Sequence, residues 1–306
     1  MNQLFVVSFT LVLVLWGSIS LAWLIKLRVF SPRPLLEVPP RPSNLSLLIV
    51  AGTILLYFAV MVFAFTVWLN RASLDFLFGA TTPSSALLNS VRQLVAHNLG
   101  VITASALAIL YIHRTAPNGL ASIGLGGQQL IPGLTRGLQA YILIFPFLIG
   151  INALTLLISK QLQRPEVQPH EVLQAMREHP SIALTVFLAV GAAIIAPIGE
   201  ELLFRGLFQT ALLQRRWLLG DIGPQQQGGD TVPFRNQLRW RAILISSVVF
   251  TAMHYNAGNF EHLPVLFALS VALGYVYERT NNLWAPIALH TLFNVMNTVM
   301  FLLPKG

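Results

Sequence analysis

Long apolar runs constrain this sequence more than any other feature. A hydrocarbon core of about 30 Å needs about 20 apolar residues in helical form. Eight runs approach or exceed that length, and they cover residues 4–25, 46–69, 94–112, 137–158, 183–213, 241–257, 263–277 and 283–303. Only 10% of the 306 residues are charged, against about 25% in soluble domains. The sequence therefore predicts an all-α polytopic membrane bundle of about eight transmembrane helices, forming one integral membrane domain over residues 1–306.

The positive charges are distributed unevenly between the two sides of such a bundle. With eight spans and the N-terminus outside, the cytoplasmic loops hold 13 of the 19 Lys and Arg residues, which agrees with the positive-inside rule. The net charge of +8 is then loop charge that faces anionic lipid, and no motif for binding nucleic acid competes with that interpretation. Four arginines are interpreted as solvated or lipid-facing loop charges: Arg215, Arg216, Arg235 and Arg239.

Two adjacent glutamates, Glu200 and Glu201, stand inside an apolar run in "APIGEELLFRG". The other nine carboxylates are expected in loops or at the ends of spans. Ionisable side chains inside membrane spans are rare and usually face a cavity, so these two are functional candidates. Glu201 and Arg205 lie four residues apart on one helical face, which favours an ion pair, whereas Glu200 points about 100° away. Pro197 predicts a kink in this span, and the apolar run beyond Arg205 predicts that the helix continues.

Three of the seven histidines also lie inside apolar runs. His254, in "FTAMHYN", follows Phe250 by one helical turn near the end of its span. His290 and Asn294, in "ALHTLFN", share one helical face and can present donors and acceptors to a single point. His97 is interpreted as a hydrogen bonder between helices, because that is the usual role of a lone histidine in a bundle.

The order of these motifs resembles the CPBP family of intramembrane proteases, which includes the CAAX prenyl endopeptidases and the bacterial Abi and bacteriocin-processing homologues. The motifs are "EELLFR" at 200–205, "FTAMH" at 250–254 and "HTLFN" at 290–294. They lie in a catalytic core of residues 183–303, and the first three spans match no motif of the family. The resemblance implies two sets of site residues: the catalytic Glu200, His254, His290 and Asn294, and the supporting Glu201, Arg205 and Phe250.

The resemblance also implies an activity. The expected protein is an intramembrane endopeptidase in a bacterial inner or plasma membrane, with its helices arranged around an intramembrane cavity. Its expected partners are membrane lipids and a protein or peptide substrate that is membrane-associated or lipidated. Nothing in the sequence indicates that the substrate carries a prenyl group.

Water is the nucleophile that these residues favour, because the cluster contains neither Ser nor Cys. In one mechanism Glu200 and His254 hold and deprotonate water, while His290 and Asn294 donate hydrogen bonds to the oxyanion. In the other, Glu200, His254 and His290 ligate a zinc ion that activates the water. The chain has no H-E-x-x-H motif, and we favour the metal-free form.

Two other classes of function are open. One is a non-enzymatic membrane immunity or partner-binding protein that retains the fold, against which the complete motif set argues. The other is a transporter that uses the carboxylates as a proton relay. A transporter of that kind predicts inverted repeats or broken apolar segments in matching halves, and the sequence contains neither pattern.

The topology predicts that positions 33 and 225 face the same side of the membrane. Arg33→Cys and Gln225→Cys variants can be labelled without background, because the chain has no native cysteine. A membrane-impermeant maleimide should therefore label both variants from the cytoplasmic side. Labelling from opposite sides would contradict the predicted topology.

Overall fold

The chain is described here by a computed structural model. It describes residues 3–29, 35, 38, 45, 47–69, 74–78, 85–116, 118–163, 181–213, 232–255 and 260–302. The structural statements that follow refer to those residues, so the positions of Arg33 and Gln225 lie outside them.

Eight long helices and no strand make up the described part of the chain. They are α1 (Gln3–Lys26), α2 (Leu47–Phe63, continued by a π-helix Ala64–Leu69), α3 (Ser85–Thr115), α4 (Leu130–Gln161), α5 (Ile182–Leu212), α6 (Val232–Met253), α7 (Leu263–Thr280) and α8 (Trp284–Leu302). The all-α prediction is confirmed for this part of the chain. Each helix corresponds to one of the apolar runs in the sequence.

Four of the helical segments are long and apolar enough to cross a membrane; three lie in α2, α3 and α5, and the fourth consists of α4 and the helical turns before it. Their bounds are Leu47–Val67, Leu87–Thr115, Gly119–Gln161 and Ile182–Leu212. A shorter apolar segment in α1 covers Leu11–Lys26. A bundle of about eight spans therefore remains a prediction, because α1 and α6 to α8 do not meet the same criterion over the described residues.

The observed helix ends differ from the expected ones most clearly in α6. The apolar run predicts a span over 241–257, but the helix begins at Val232 and ends at Met253. Its first half includes the polar stretch "RNQLRWR", so a search for apolar runs does not find where the helix begins. His254 consequently lies in the turn directly after the helix.

Helix α5 is irregular where the sequence predicts a kink. A π-helical segment, Gly191–Ile195, precedes Pro197, and a second one covers Leu202–Gln209. Proline has no N–H, and its ring crowds the carbonyl four residues earlier, so a wider turn before it relieves the contact. The helix then continues through Thr210–Leu212, which confirms that it runs past Arg205.

The start of α8 is fixed by close backbone contacts with the loop before α4 and with α4 itself. Gly124 has a φ of +79°, and a Cβ there would lie 2.5 Å from Asn282 Cα. The Leu283 N–H donates to the Gly124 carbonyl at 3.1 Å. On α4, Gly137 lets the helix approach α8 so closely that a Cβ would lie 2.5 Å from the Ala285 carbonyl oxygen. Small residues at such crossings are typical of packed membrane helices. The crossing of α4 and α8 sets the position of His290, which lies on α8.

Two hydrophobic clusters surround this crossing. The first joins α3, α5, α7 and α8, and includes the buried residues Ile112, Ile123, Leu202, Leu207, Tyr277 and Leu283. The second joins α4, α7 and α8, and includes Tyr141, Phe145, Leu148, Leu269, Leu273 and Leu289. Helices α7 and α8 take part in both clusters, so α8, which carries His290 and Asn294, is held from two sides.

Arg239 is not a solvated loop charge, and that interpretation is wrong. Its side chain is buried on α6, pairs with Glu278 on α7 at 3.6 Å, and donates to the carbonyls of Leu35 and Val38. Glu278 also accepts from Gln209 at 2.9 Å and is only 1% exposed. Of the other three arginines interpreted in the same way, Arg215 and Arg216 lie outside the described residues, and the side chain of Arg235 is not described.

Two of the remaining carboxylates, Glu278 and Glu261, lie at a span end and in a loop, as the sequence predicts, but both are buried. Glu278 is part of the last turn of α7 and is buried. Glu261 is buried in the short turn before α7 and accepts a hydrogen bond from Ser159 on α4 at 3.0 Å. Both acids join neighbouring helices. Their burial could not be predicted from the sequence, because a charge close to the end of a span is usually exposed.

The burial of Arg239 predicts its effect on stability. Arg239→Met should lower the free energy of unfolding by about 3 kcal/mol, because removing one partner of a buried pair leaves the other charge uncompensated. Thermal unfolding of the purified protein in detergent measures the change. Arg241→Met is the matched control, since Arg241 lies two residues away on the same helix and is exposed. Equal effects of the two substitutions would contradict the buried pair.

Candidate active site

Glu200 faces two histidines that come from different helices. Its Oε2 lies 3.8 Å from His254 Nε2, after α6, and 3.8 Å from His290 Nε2, on α8. The Glu200 side chain is 25% exposed and that of His254 is 33% exposed, whereas His290 is 4% exposed. The three groups therefore form a cluster that is open on the His254 side and closed behind His290.

The hydrogen bonds of the two histidines determine which ring nitrogen carries a proton. His254 Nδ1 lies 2.8 Å from the Phe250 carbonyl oxygen, and His290 Nδ1 lies 2.8 Å from Glu201 Oε1. Both partners are acceptors, so each Nδ1 must be the donor. In the neutral rings each Nε2 then has a free lone pair directed to the Glu200 side, where it can accept a proton.

Glu201 and Arg205 form the buried centre behind this cluster. Arg205 donates to Glu201 Oε1 at 3.0 Å, and both side chains are fully buried. Arg205 also donates to the carbonyl and the hydroxyl of Ser270 on α7, at 3.0 and 2.7 Å. Because Glu201 Oε1 also accepts from His290, a single oxygen atom connects α5 with α8 and with the guanidinium that binds α7. The predicted ion pair within α5 is thus observed, and Glu200 faces other neighbours, as expected.

Phe250 occupies the space between the charged groups. It is fully buried, and its ring stacks on that of His254 at a centroid distance of 4.4 Å. The Arg205 guanidinium lies 4.9 Å from the same ring, a favourable cation–π distance. Phe250 therefore holds the His254 ring through its aromatic face and through its backbone carbonyl, which explains its place one turn before the histidine.

Asn294 is oriented differently from the other three predicted catalytic residues. Its Nδ2 donates to the Ala192 carbonyl at 2.9 Å, inside the π-helical segment of α5. Of the four, the structure therefore brings Glu200, His254 and His290 together, whereas one hydrogen of the Asn294 amide is used to join α8 to α5. An amide nitrogen has two hydrogens, so the second one is available for another acceptor.

The described residues do not fit a metal ion. No group of three or more His, Cys, Asp and Glu side chains among them is arranged to hold one. The set considered from the sequence, Glu200, His254 and His290, is not such a group.

His97 forms the interhelical hydrogen bond that the sequence predicts. Its Nδ1 lies 2.7 Å from the Tyr57 hydroxyl, so α3 is joined to α2. Sequence reasoning missed both Tyr57 and Ser270 as partners of motif-bearing or candidate residues. A polar residue inside an otherwise apolar helix was the available signal at Ser270, whereas Tyr57 gave none because tyrosine is common in membrane helices.

A comparison with known protein families finds a match in the part of the chain that contains the candidate site. Residues 182–296 match the family model described as Type II CAAX prenyl endopeptidase Rce1-like, which confirms the resemblance predicted from the motifs. The match covers α5 to α7 and most of α8, and so includes every predicted site residue. No solved structure matches the chain.

A curated relative agrees with the family match. The chain is 25% identical over 212 residues to "Putative membrane peptidase YdiL" of Bacillus subtilis (strain 168), and this covers 66% of the chain and 69% of the relative. Together with the four apolar helices, these matches indicate a CAAX-protease-like membrane peptidase in general terms, and an integral membrane protein.

The shared oxygen of Glu201 predicts that this residue stabilises the fold. Glu201→Ala should lower the free energy of unfolding by about 3–5 kcal/mol, because it leaves Arg205 buried with an unpaired charge. Glu201→Gln should cost less, since the amide oxygen can still accept. Glu200→Gln is the control and should leave the melting temperature in detergent unchanged, because its side chain is partly exposed and makes no direct hydrogen bond. A stable Glu201→Ala variant would show that the network does not hold these helices.

Proposed function

We propose that this protein is an intramembrane endopeptidase that hydrolyses a peptide bond of a membrane-associated or lipidated protein by means of an activated water. The observation that carries the proposal is the position of Glu200 Oε2, 3.8 Å from the Nε2 atoms of both His254 and His290. These gaps are too long for direct hydrogen bonds. They can be bridged by a water that contacts the carboxylate and one ring nitrogen.

The first step uses Glu200 and His254 to activate that water. Glu200 accepts one proton of the water, and His254 Nε2 holds the molecule in place because its Nδ1–H is already committed to Phe250. The water oxygen then bonds to the carbonyl carbon of the substrate, and the electron pair of the C=O bond moves to the carbonyl oxygen. A positioned base of this kind contributes about 10²–10⁴-fold to the rate.

The second step needs donors for the oxyanion. His290 in its protonated form donates from Nε2, while Glu201 accepts from Nδ1 and stabilises the positive ring, as a buried carboxylate does in other His-dependent hydrolases. Asn294 offers the hydrogen of Nδ2 that the Ala192 carbonyl does not use. When the C–N bond breaks, the proton held by Glu200 passes to the leaving amine, so Glu200 returns to its ionised form.

The helix that carries Glu200 also has an apolar surface on which a substrate can bind. An apolar depression of about 730 Å³ runs along the N-terminal half of α5, and its residues include Val186, Val190 and Ile195. Ile195 lies five residues before Glu200 on the same helix. A membrane-embedded segment or a lipid chain attached to the substrate can lie along this surface.

The test uses purified protein in liposomes and two fluorescence-quenched peptides of identical sequence, one with a prenylated cysteine and one without. The wild type should cleave at least one of them, and Glu200→Gln should reduce the rate by about 10²–10⁴-fold. His254→Gln should have a similar effect. His262→Gln is the matched control, because His262 is exposed and should leave the rate unchanged.

A second arm covers substrates that the peptides do not represent. New protein N-termini are compared in membranes from cells that express the wild type or Glu200→Gln. New termini that depend on Glu200 support a peptidase. If neither peptide is cleaved and the two sets of termini are the same, the proposal is wrong, and the chain is a non-enzymatic immunity or partner-binding protein with the same fold.

A further inference from the structure

Tyr57 on α2 and His97 on α3 form a hydrogen-bonded pair outside the motifs. The hydroxyl oxygen lies 2.7 Å from His97 Nδ1, and the two rings meet edge to face at a centroid distance of 5.5 Å. The same hydroxyl lies 3.5 Å from the Met61 sulfur. Because the hydroxyl has one hydrogen and a thioether is a weak acceptor, Tyr57 donates to His97 Nδ1. His97 in its neutral form then carries its own hydrogen on Nε2, on the other side of the ring.

Glycines bring this pair close to the site. At Gly100 on α3 a Cβ would lie 2.8 Å from the Tyr57 carbonyl oxygen, so only glycine allows α2 to approach His97 so closely. At Gly199 on α5 a Cβ would lie 2.3 Å from the Val101 side chain. Val101 is one helical turn after His97, and Gly199 directly precedes Glu200.

The depth of His97 along the bundle also matches that of the Glu200 carboxylate. Asn98, the neighbour of His97, lies beside Gly191 on α5. Helical side chains lean toward the N-terminus of their helix, so the Glu200 carboxylate lies at a level of α5 between Gly191 and Gly199. His97 is on the stretch of α3 that packs against this part of α5.

His97 and Glu200 do not touch directly. Among the described residues, His97 makes no direct ion pair with Glu200, in contrast to His254 and His290. The two side chains are therefore too far apart for a direct contact.

We propose that Tyr57 and His97 are positioning residues for Glu200. In this arrangement Tyr57 fixes the His97 ring with its Nε2–H directed to the Glu200 side, and a water relays that hydrogen bond to the carboxylate. The carboxylate is then held between α3 on one side and the histidines of α6 and α8 on the other, with Oε2 facing those histidines. The inference rests on the proposed function, because it assigns the pair a part in the same reaction.

The kinetic test uses whichever quenched peptide the wild type cleaves. Tyr57→Phe and His97→Phe should each lower kcat by about 10-fold, the rate equivalent of one hydrogen bond to a charged group, with KM within about twofold of the wild type. His97→Gln should recover most of the lost rate, because its amide nitrogen can occupy the place of Nε2. His97→Asn, whose amide reaches only the place of Nδ1, should not.

A crosslinking test examines the placement without any substrate. In the cysteine-free chain, a short bifunctional thiol reagent should join His97→Cys to Glu200→Cys within one molecule, as peptide mass spectrometry can detect. Ile102→Cys with Glu200→Cys is the matched control, because Ile102 lies on the outward face of α3 and is 48% exposed. It should give no such crosslink.

The two tests separate the possible failures. If the wild type cleaves neither the peptides nor any membrane protein, the proposed function is wrong. The positioning role of Tyr57 and His97 is then wrong as well, whatever the crosslink result. If the wild type cleaves but the four Tyr57 and His97 variants keep its kcat, the pair only joins two helices and the inference is wrong. If His97→Gln and His97→Phe lower kcat equally, or if the His97–Glu200 crosslink does not form, the relay to Glu200 is also wrong.

Discussion

The fully buried guanidinium of Arg205 is the constraint on which the catalytic half of the bundle depends. A charged group in an apolar interior is tolerated only when it is paired and hydrogen-bonded. Arg205 meets this condition with Glu201 on its own helix and with the carbonyl and hydroxyl of Ser270 on α7. Rotating α5 would break the contacts with Ser270, and sliding α7 would do the same. The charge therefore fixes the rotation and the depth of α5, and with them the direction in which Glu200 points.

The same network links stability to the chemistry of the site. Glu201 Oε1 accepts from Arg205 and from His290, so the atom that neutralises the guanidinium also orients the imidazole. His290 cannot turn its Nε2 away from Glu200 without giving up that hydrogen bond. A second buried network, formed by Gln209, Glu278 and Arg239, lies near the C-terminal end of α7. It also pairs a buried charge across helices, and it joins α5, α6 and α7. Both networks place their ion pairs where an unpaired group would be most costly, which makes the packing of these helices specific as well as stable.

The sequence was sufficient for the helical fold and for the group of Glu200, His254 and His290, because ionisable residues inside apolar runs are rare enough to stand out. Helical geometry alone also predicted that Glu201 pairs with Arg205 while Glu200 faces other neighbours. The sequence was not sufficient for Arg239 and Glu278, because charges close to the ends of apolar runs look the same whether they face solvent or a neighbouring helix. The bond from Asn294 to the Ala192 carbonyl could not be predicted either, since it depends on a π-helical segment that apolar periodicity does not reveal. Tyr57 was missed because its importance arises from a close helix crossing at Gly100, which depends on tertiary packing.

The family match does not include all the helices that surround the site. It begins at residue 182, and so includes the helices that carry the motif residues but neither α2 nor α3. Yet α5 has two sides, and the one that faces α3 is packed so tightly at Gly191 and Gly199 that it admits no Cβ. A carboxylate held only from the side of α6 and α8 could swing away from its histidines, because both of its contacts with them are longer than a hydrogen bond. In the proposed arrangement, Tyr57 and His97 prevent this from the part of the chain without motifs.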